Sequence, residues 1–359
     1  MEFPTSIQTC LLPRTPRPIT IVGAGGIVKD GHLPAYRKAG FPVDGICDLN
    51  PERARALADE FGIPKVYSGA SEAFRSAPAD GIFDIATPPS AFLELLAEVP
   101  AGSAVLLQKP MGQTIEQARA ILNLCRGKGL TAAVNFQLRY APNVLAARAL
   151  IEQGIIGELH DMEVRITVYT PWHLWSFLES QLRMEILLHS IHYLDLMRSF
   201  LGEPRAVWAR TLKHPSVPKL ASARSNLILD YGEMLRANIT TNHGHCYGFR
   251  HQESYVKWEG TKGAIKTRLG LLMDYPKGVP DEFEYCVLAE NAAPEWQTLE
   301  LHGSWFPDGF IGTMASLMRY VEGSATGLPT SVEDAIHTME LVEAAYASNA
   351  SGGTPVVTE

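Results

Sequence analysis

Long uniform runs are missing from this sequence of 359 residues. No stretch approaches the roughly twenty apolar residues that a membrane helix requires, so a helical membrane span is not expected. No long basic run appears and the formal net charge is -8. The electrostatic footprint of a nucleic-acid binder is therefore absent. Cysteine is scarce: five residues, Cys10, Cys47, Cys125, Cys246 and Cys286, are scattered without a CxxC pair. An odd, dispersed set argues against a disulfide framework and for a reducing, cytoplasmic compartment. Tandem repeats are also lacking. The first eighteen residues hold four prolines and no apolar run of signal-peptide length. They read as a loose N-terminal arm, residues 1–18.

What is present is apolar substance: hydrophobic residues make up 46% and charged residues 19%. That composition and length fit two domains with sizeable cores. Residues 19–138 alternate strand and helix. The stretch ITIVGAGG at 19–26 is an apolar strand that turns at glycines. Gly23 and Gly25 form a GxG, Gly26 follows, and Val28 stands where a full GxGxxG has its third glycine. Such glycines let backbone approach a pyrophosphate at the start of the next helix, which Ile27 would join. Asp48 follows the second strand, 25 residues beyond Gly23. A carboxylate there can accept both ribose hydroxyls and repel a 2′-phosphate, favouring NAD over NADP. The plainer alternative, a helix cap, falls better to Asn50.

Further strands end at FDIATPPS, AVLLQKP and LTAAVNFQLRY, with helices expected over 51–60, 90–99 and 114–128. Open parallel sheets bind ligands at the carboxyl ends of their strands. Thr87, Pro88, Gln108, Lys109, Asn135 and Arg139 fall at such ends. All but Arg139 join Gly23, Gly25, Gly26, Ile27 and Asp48 as expected cofactor contacts; Arg139 is expected to meet substrate.

From 139 to 359 the pattern changes to a helix, a half-buried strand, a histidine-bearing helix and then several strands in succession. This predicts an antiparallel or mixed sheet with one face open for a partner subunit. A last helix begins after Ser331 as N-cap, with Glu333 and Asp334 in its first turn. It is expected to pack back on the first domain.

The stretch EILLHSIHYLDLM at 185–197 carries the densest chemistry. On an α-helix, Glu185, His189 and His192 share one stripe, with Asp195 nearby. Three readings compete. A metal site is disfavoured, because the spacing is HxxH rather than HExxH and no cysteine cluster joins it. A buried polar network would be purely structural. A catalytic cluster would use an imidazole as acid/base. Nearby, Tyr169, Trp172, His173 and Trp175 cluster in YTPWHLW, where flat rings can pack on a sugar face. The alternative is an amphipathic loop over the core. His243, with Asn242, His245 and Arg250, lies in a polar stretch that suits a pocket or a subunit contact. Arg183, Lys213 and Lys219 could meet an anionic substrate group, but each also suits a solvated surface.

The chain resembles the Gfo/Idh/MocA group, the glucose–fructose oxidoreductase and inositol dehydrogenase family. The likeness rests on VGAGGIVKDGHLPAY at 22–36, ATPPS at 86–90, QKP at 108–110, NFQLRY at 135–140, GIIGEL at 154–159, HSIHYLDLMRSFLG at 189–202, WEGTKGAIK at 258–266 and SVEDAIHTMELVEAAYAS at 331–348. It implies an α/β protein. A Rossmann dinucleotide-binding domain, 19–138, precedes an α/β domain with a large open, mainly antiparallel sheet, 139–359. It also implies NAD(P)-dependent oxidation or reduction of sugars or cyclitols, and homodimers or homotetramers built through that sheet. The family lysine matches Lys109 and the family histidine His192. Lys109 then stabilises the developing alkoxide or relays a proton, and His192 is the acid/base.

His189 supports His192 or contacts a substrate hydroxyl. Glu185 orients His189, and Asp195 is a brace. The expected substrate contacts are Lys109, Arg139, Tyr169, Trp172, His173, Glu185, His189, His192 and His243. Gln108 replaces the usual glutamate of the motif. Leu188 and Ser190 replace an aspartate and a glycine common before the histidine. The leading function is a sugar or cyclitol dehydrogenase. A glycosidase working by transient oxidation, elimination, water addition and re-reduction is the alternative. A non-enzymatic binding protein on the same fold is the third.

Overall fold

The structure is a computed structural model that describes residues 3–275 and 277–356. The chain divides into two compact units: one of 1–145 and 302–339, the other of 146–301 and 340–359. Residues 1 and 2 of the arm and 357–359 of the last domain lie outside the described residues.

In the first unit, β1 (Ile19–Val22) leads through α1 (Leu33–Ala39) to β2 (Val43–Cys47). Then follow α2 (Pro51–Phe61), β3 (Lys65–Val66), α3 (Ala70–Ser76), β4 (Ile82–Ile85), α4 (Phe92–Glu98), β5 (Ala104–Leu107), α5 (Ile115–Gly127) and β6 (Thr131–Val134). The strands are parallel, in the order β3-β2-β1-β4-β5-β6. The order reverses between β1 and β4, which creates a crevice at their carboxyl ends. Strands β1, β4 and β5 are buried along their whole length, as expected when helices cover both faces. Local chemistry sets the helix starts. Asn50 accepts from the amides of Glu52 and Arg53 with Pro51 at the first position, and Thr114 accepts from Gln117.

Two segments depart from expectation. Residues 302–339 belong with the first unit rather than with the second, because α8 (Trp305–Val321) buries Phe310, Met314, Leu317 and Met318 in the same core as Ile19, Ile21 and Leu33. The contact is close at Gly31, where a Cβ would lie 2.6 Å from the Phe310 ring. Residues 139–145 also sit in the first unit. The N-terminal segment is not a loose arm from residue 3 onward. Glu322 accepts from the backbone amides of Arg14 at 3.1 Å and Thr15 at 3.4 Å, and Gln8 accepts from His302 N at 2.7 Å. Arg17 donates to Asp80 O at 2.9 Å, and Cys10 packs on the core. Prolines stiffen the segment, and the amides of Arg14 and Thr15 find their acceptor far along the chain.

The second unit begins within α6 (Pro142–Glu152). Its strands are β7 (Leu159–Thr167), β8 (Ala206–Leu212), β9 (Arg224–Asp230), β10 (Arg236–Asn242), β11 (Glu253–Gly260), β12 (Gly263–Arg268), β13 (Glu282–Val287) and β14 (Trp296–Thr298), with α7 (Ile191–Leu201) between β7 and β8. The sheet order is β14-β13-β12-β11-β7-β10-β9-β8, antiparallel except for the β7–β10 pair. Burial alternates along β9, β10 and β11, so one face is packed and the other open. Phe200 of α7 meets Trp258 of β11 on the packed face, with ring centroids 5.2 Å apart. The edge strand β8 is capped where α9 (Val332–Ser351) ends. Ala209 N donates to Ser348 Oγ and Thr211 N to Asn349 Oδ1, each at 2.9 Å. The division between the units falls within α9. Its start is as expected, with Ser331 Oγ accepting from Asp334 N at 3.2 Å.

Candidate active site

In the first unit, the chain leaves β1 through Gly23 at φ 111°. A Cβ there would lie 2.5 Å from Ala86 O, so only glycine lets β1 and β4 part so closely. Gly25, Gly26 and Ile27 then open the next helix, whose first amides have no acceptor within it. Gly25 has open space where a side chain would stand. The helix continues as a π-turn, Val28–His32. This is a cradle of backbone donors at a switch point, and it fits a pyrophosphate.

Asp48 closes the cradle. Its Oδ2 accepts from Ala24 N at 2.7 Å and its Oδ1 from Asn50 N at 2.8 Å. Asn50, not Asp48, caps α2. Thr87 is half-buried and Pro88 exposed just beyond β4. Beyond β5, Gln108 is buried, with its Oε1 accepting from Lys109 N at 2.8 Å. Lys109 is half-buried, and burial lowers its ammonium to about 8.

Asn135 and Arg139 are placed differently from expectation. Asn135 is wholly buried. Its Oδ1 accepts from Thr313 Oγ1 at 2.7 Å, and its Nδ2 lies 3.3 Å from His32 Nε2. His32 Nδ1 is 2.7 Å from Asp84 Oδ2, which also accepts from the Tyr36 hydroxyl at 2.7 Å. Asn135 is therefore a link in a buried network under the glycine turn, with both ends of its amide engaged by protein. Sequence reasoning missed this network. Its signal was Asp84, a charge in the middle of an otherwise apolar strand. Arg139 is buried and donates to Pro329 O at 2.8 Å and to Asp334 Oδ2 at 2.7 Å. It braces the segment leading into α9 rather than presenting its guanidinium to a ligand.

The second unit holds the histidines. Residues Glu185–Ser190 form a π-turn, and α7 begins at Ile191. The expected α-helical stripe is thus broken. In a π-turn the residue that meets Glu185 is five positions on. It is Ser190, whose hydroxyl donates to Glu185 Oε1 at 2.8 Å. The Ser225 hydroxyl, from β9, bonds the other carboxylate oxygen. His243 Nε2 stands 3.6 Å from Oε1. Glu185 is wholly buried. Burial pushes its carboxyl up, but His243, Ser225 and Ser190 outweigh that and hold it below the usual range. With no exposed surface, Glu185 is not a direct substrate contact; its carboxylate faces His243.

Trp172, His189 and His243 form one aromatic group. The Trp172 ring meets His189 at 5.4 Å and His243 at 5.8 Å, both edge-on, and the two imidazoles lie 4.9 Å apart. Thr170 Oγ1 is 3.2 Å from His243 Nδ1. His189 is half-buried, while His192, in the first turn of α7, is 7% exposed. Tyr169 is half-exposed and forms a backbone bridge with Gly244. His173 is exposed on the same segment. Among the expected substrate contacts of this unit, the structure brings together Trp172, Glu185, His189 and His243. Ser190 and Ser225 were not foreseen. Ser225 is an inward-facing polar residue in the alternation of β9, which is a weak signal.

Among the described residues, no group of three or more His, Cys, Asp or Glu is arranged to hold a metal ion. No helix among them is long and apolar enough to cross a membrane.

Comparison with known proteins matches residues 18–136 to the Gfo/Idh/MocA model described as "Oxidoreductase family, NAD-binding Rossmann fold". Residues 148–358 match its companion, "Oxidoreductase family, C-terminal alpha/beta domain". A D-apiose dehydrogenase from Rhizobium rhizogenes is 27% identical over 332 residues, covering 88% of this chain and 90% of that protein. A 1,5-anhydro-D-fructose reductase from Ensifer adhaerens is 29% identical over 329 residues, covering 87% and 98%. A crystal structure of an oxidoreductase from Agrobacterium radiobacter, in complex with NAD+, L-tartaric acid and magnesium, superposes with a TM-score of 0.77. It is 23% identical and covers 94% of this chain and 98% of its own, a likeness of fold.

Proposed function

Because the chain belongs to the Gfo/Idh/MocA oxidoreductase family and its first unit is an NAD-binding Rossmann domain, we propose that it is a dehydrogenase that oxidises a secondary hydroxyl of a sugar, sugar derivative or cyclitol. The observation that carries the cofactor side is the glycine cradle at the switch point, closed by the Asp48 carboxylate. Asp48 favours NAD over NADP, since a carboxylate accepts ribose hydroxyls and repels a phosphate. The substrate class is supported by the sugar dehydrogenase and sugar reductase among the relatives. Tyr169, 45% exposed, and the exposed His173 offer ring surface that suits the apolar face of a pyranose or cyclitol.

Bound NAD supplies the two-electron acceptor. His192 takes the hydroxyl proton as the hydride leaves the same carbon. The Lys109 ammonium stabilises the alkoxide character that develops on oxygen. His189 contacts a neighbouring hydroxyl. Products are a ketone, NADH and one proton. The redox-neutral glycosidase alternative draws no support from the relatives named above. The open face of the second sheet carries Trp208 and Ile228, cross-strand neighbours that are 57% and 53% exposed, and this supports self-association through that face.

The test is a panel of sugars, cyclitols and glycosides with NAD, following NADH, in wild type and His192→Ala. Wild type forms NADH from at least one polyol, and His192→Ala loses that rate while retaining NAD binding. Full turnover in His192→Ala removes the acid/base assignment.

A further inference from the structure

Sequence leaves the histidine pair without an acid at position 188, which is Leu188. The structure provides a different one. Glu185 is wholly buried, and two serine hydroxyls from separate segments, Ser190 and Ser225, anchor its carboxylate. Three further bonds fix that site. Glu185 N donates to Ser222 Oγ at 3.2 Å, Ser225 N to Thr241 Oγ1 at 3.0 Å, and Leu187 N to the Tyr346 hydroxyl at 3.3 Å. A buried carboxylate so anchored needs a counter-group, and the ring facing it is His243 at 3.6 Å. At 3.6 Å this is an electrostatic contact rather than a hydrogen bond. Thr170 on the other side holds Nδ1. One edge of His243 is thus hydrogen-bonded, and the other faces the Glu185 carboxylate. Its ring centroid lies 4.9 Å from that of His189, the rings tilted by 45°, and Trp172 meets it edge-on.

We propose that Glu185 and His243 are positioning residues: a carboxylate–imidazole pair that acts through ring contact on His189, supplying from position 185 the acidic support that Leu188 does not give. This rests on the dehydrogenase reading only in that His189 serves a substrate hydroxyl. The Glu185 carboxylate stands at the end of the row His189–His243–Glu185. It holds His189 in one orientation, the condition for repeated hydrogen bonding to one hydroxyl. A purely structural role would need the packing of Glu185 but not its charge.

The charge can be removed almost without changing shape. Glu185→Gln is compared with wild type, with His243→Asn as a second variant should the first fold poorly. The titratable groups around Glu185 are His243, His189 and His192, with Tyr193 and Tyr346, both raised by burial and by Glu185. The tyrosines are silent between pH 5 and 9, so a limb that moves there reports a histidine. The expected result is NAD affinity within twofold of wild type and kcat lower by about tenfold, the size typical of a lost supporting partner. The acidic limb of the kcat/KM profile moves to lower pH, and Glu185→Asp recovers part of the rate. An unchanged profile and rate, with only a lower melting temperature, overturns the inference. If no polyol is oxidised by wild type, the dehydrogenase reading fails separately. The inference is then decided by nitrogen-15 NMR of labelled histidines. The His189 signal, identified by its loss in His189→Ala, titrates at lower pH in Glu185→Gln if the pair acts on it, and identically to wild type if it does not.

Discussion

Replacing Asp48 by serine separates two things that this carboxylate does. It accepts from Ala24 N at 2.7 Å and from Asn50 N at 2.8 Å, and so shapes the glycine turn. In the proposed complex it also accepts from the adenine ribose. A serine hydroxyl cannot span both backbone amides, so the turn loosens and both cofactors bind more weakly. That loss is common to NAD and NADP and cancels in their ratio. What remains is specific. NAD loses a charge-assisted hydrogen bond worth about 2 kcal/mol. NADP is relieved of repulsion between a carboxylate and its 2′-phosphate. At about 6 Å and an effective dielectric constant of about 20 this is near 3 kcal/mol per charge pair, reduced to about 1 kcal/mol by screening at a half-buried site. Together these shift the NAD/NADP affinity ratio by about 3 kcal/mol, or about a hundredfold toward NADP. Calorimetric titration of both cofactors into wild type, Asp48→Ser and Asp48→Asn reads the ratio directly. The asparagine keeps the shape and one acceptor, and so isolates the charge. A ratio within twofold of wild type in both variants refutes the assignment, as does a wild type that prefers NADP.

With Lys109 brought down to about 8 and its ammonium as the working form, kcat/KM falls as pH rises through that value. Lys109→Arg, which stays charged, flattens this limb at a lower rate, and a limb that persists in the variant assigns it elsewhere. Arg139→Ala loses bonds to Pro329 O and Asp334, and unfolds with about 2 kcal/mol less stability in denaturant titration while substrate KM is unchanged. A raised KM at unaltered stability restores Arg139 as a substrate contact. Sedimentation at micromolar concentration shows at least a dimer, and Trp208→Glu shifts it toward monomer. A wild-type monomer with full activity defeats self-association.

The first unit was legible because its signals are local. An apolar strand, glycines and an acid 25 residues on specify a dinucleotide crevice before any tertiary contact is known. Helix caps at Asn50 and Ser331 were legible for the same reason. Errors arose where a residue's neighbour lies far along the chain. α8 is an apolar helix that fits either sheet, and its packing on Ile19, Ile21 and Leu33, closest at Phe310 against Gly31, shows which. The proline-rich start reads as loose because its acceptor, Glu322, is 308 residues from Arg14. Position at a strand end gave the location of Asn135 and Arg139 but not their partners, Thr313 and Asp334. The π-turn at 185–190 has no periodic signature in six residues, so α-helical spacing paired Glu185 with His189 where the structure brings the Ser190 hydroxyl to its carboxylate.

Stoichiometry tests the central claim most directly. A free sugar or cyclitol that is turned over is incubated with excess NAD, and the NADH formed is compared with the alcohol lost, alongside a glycoside of the same sugar monitored for aglycone release. Net hydride transfer gives one NADH for each hydroxyl oxidised, a ketone product, and no aglycone release. Rapid NAD-dependent cleavage of the glycoside, with solvent deuterium entering the carbon skeleton and no NADH accumulating, contradicts it.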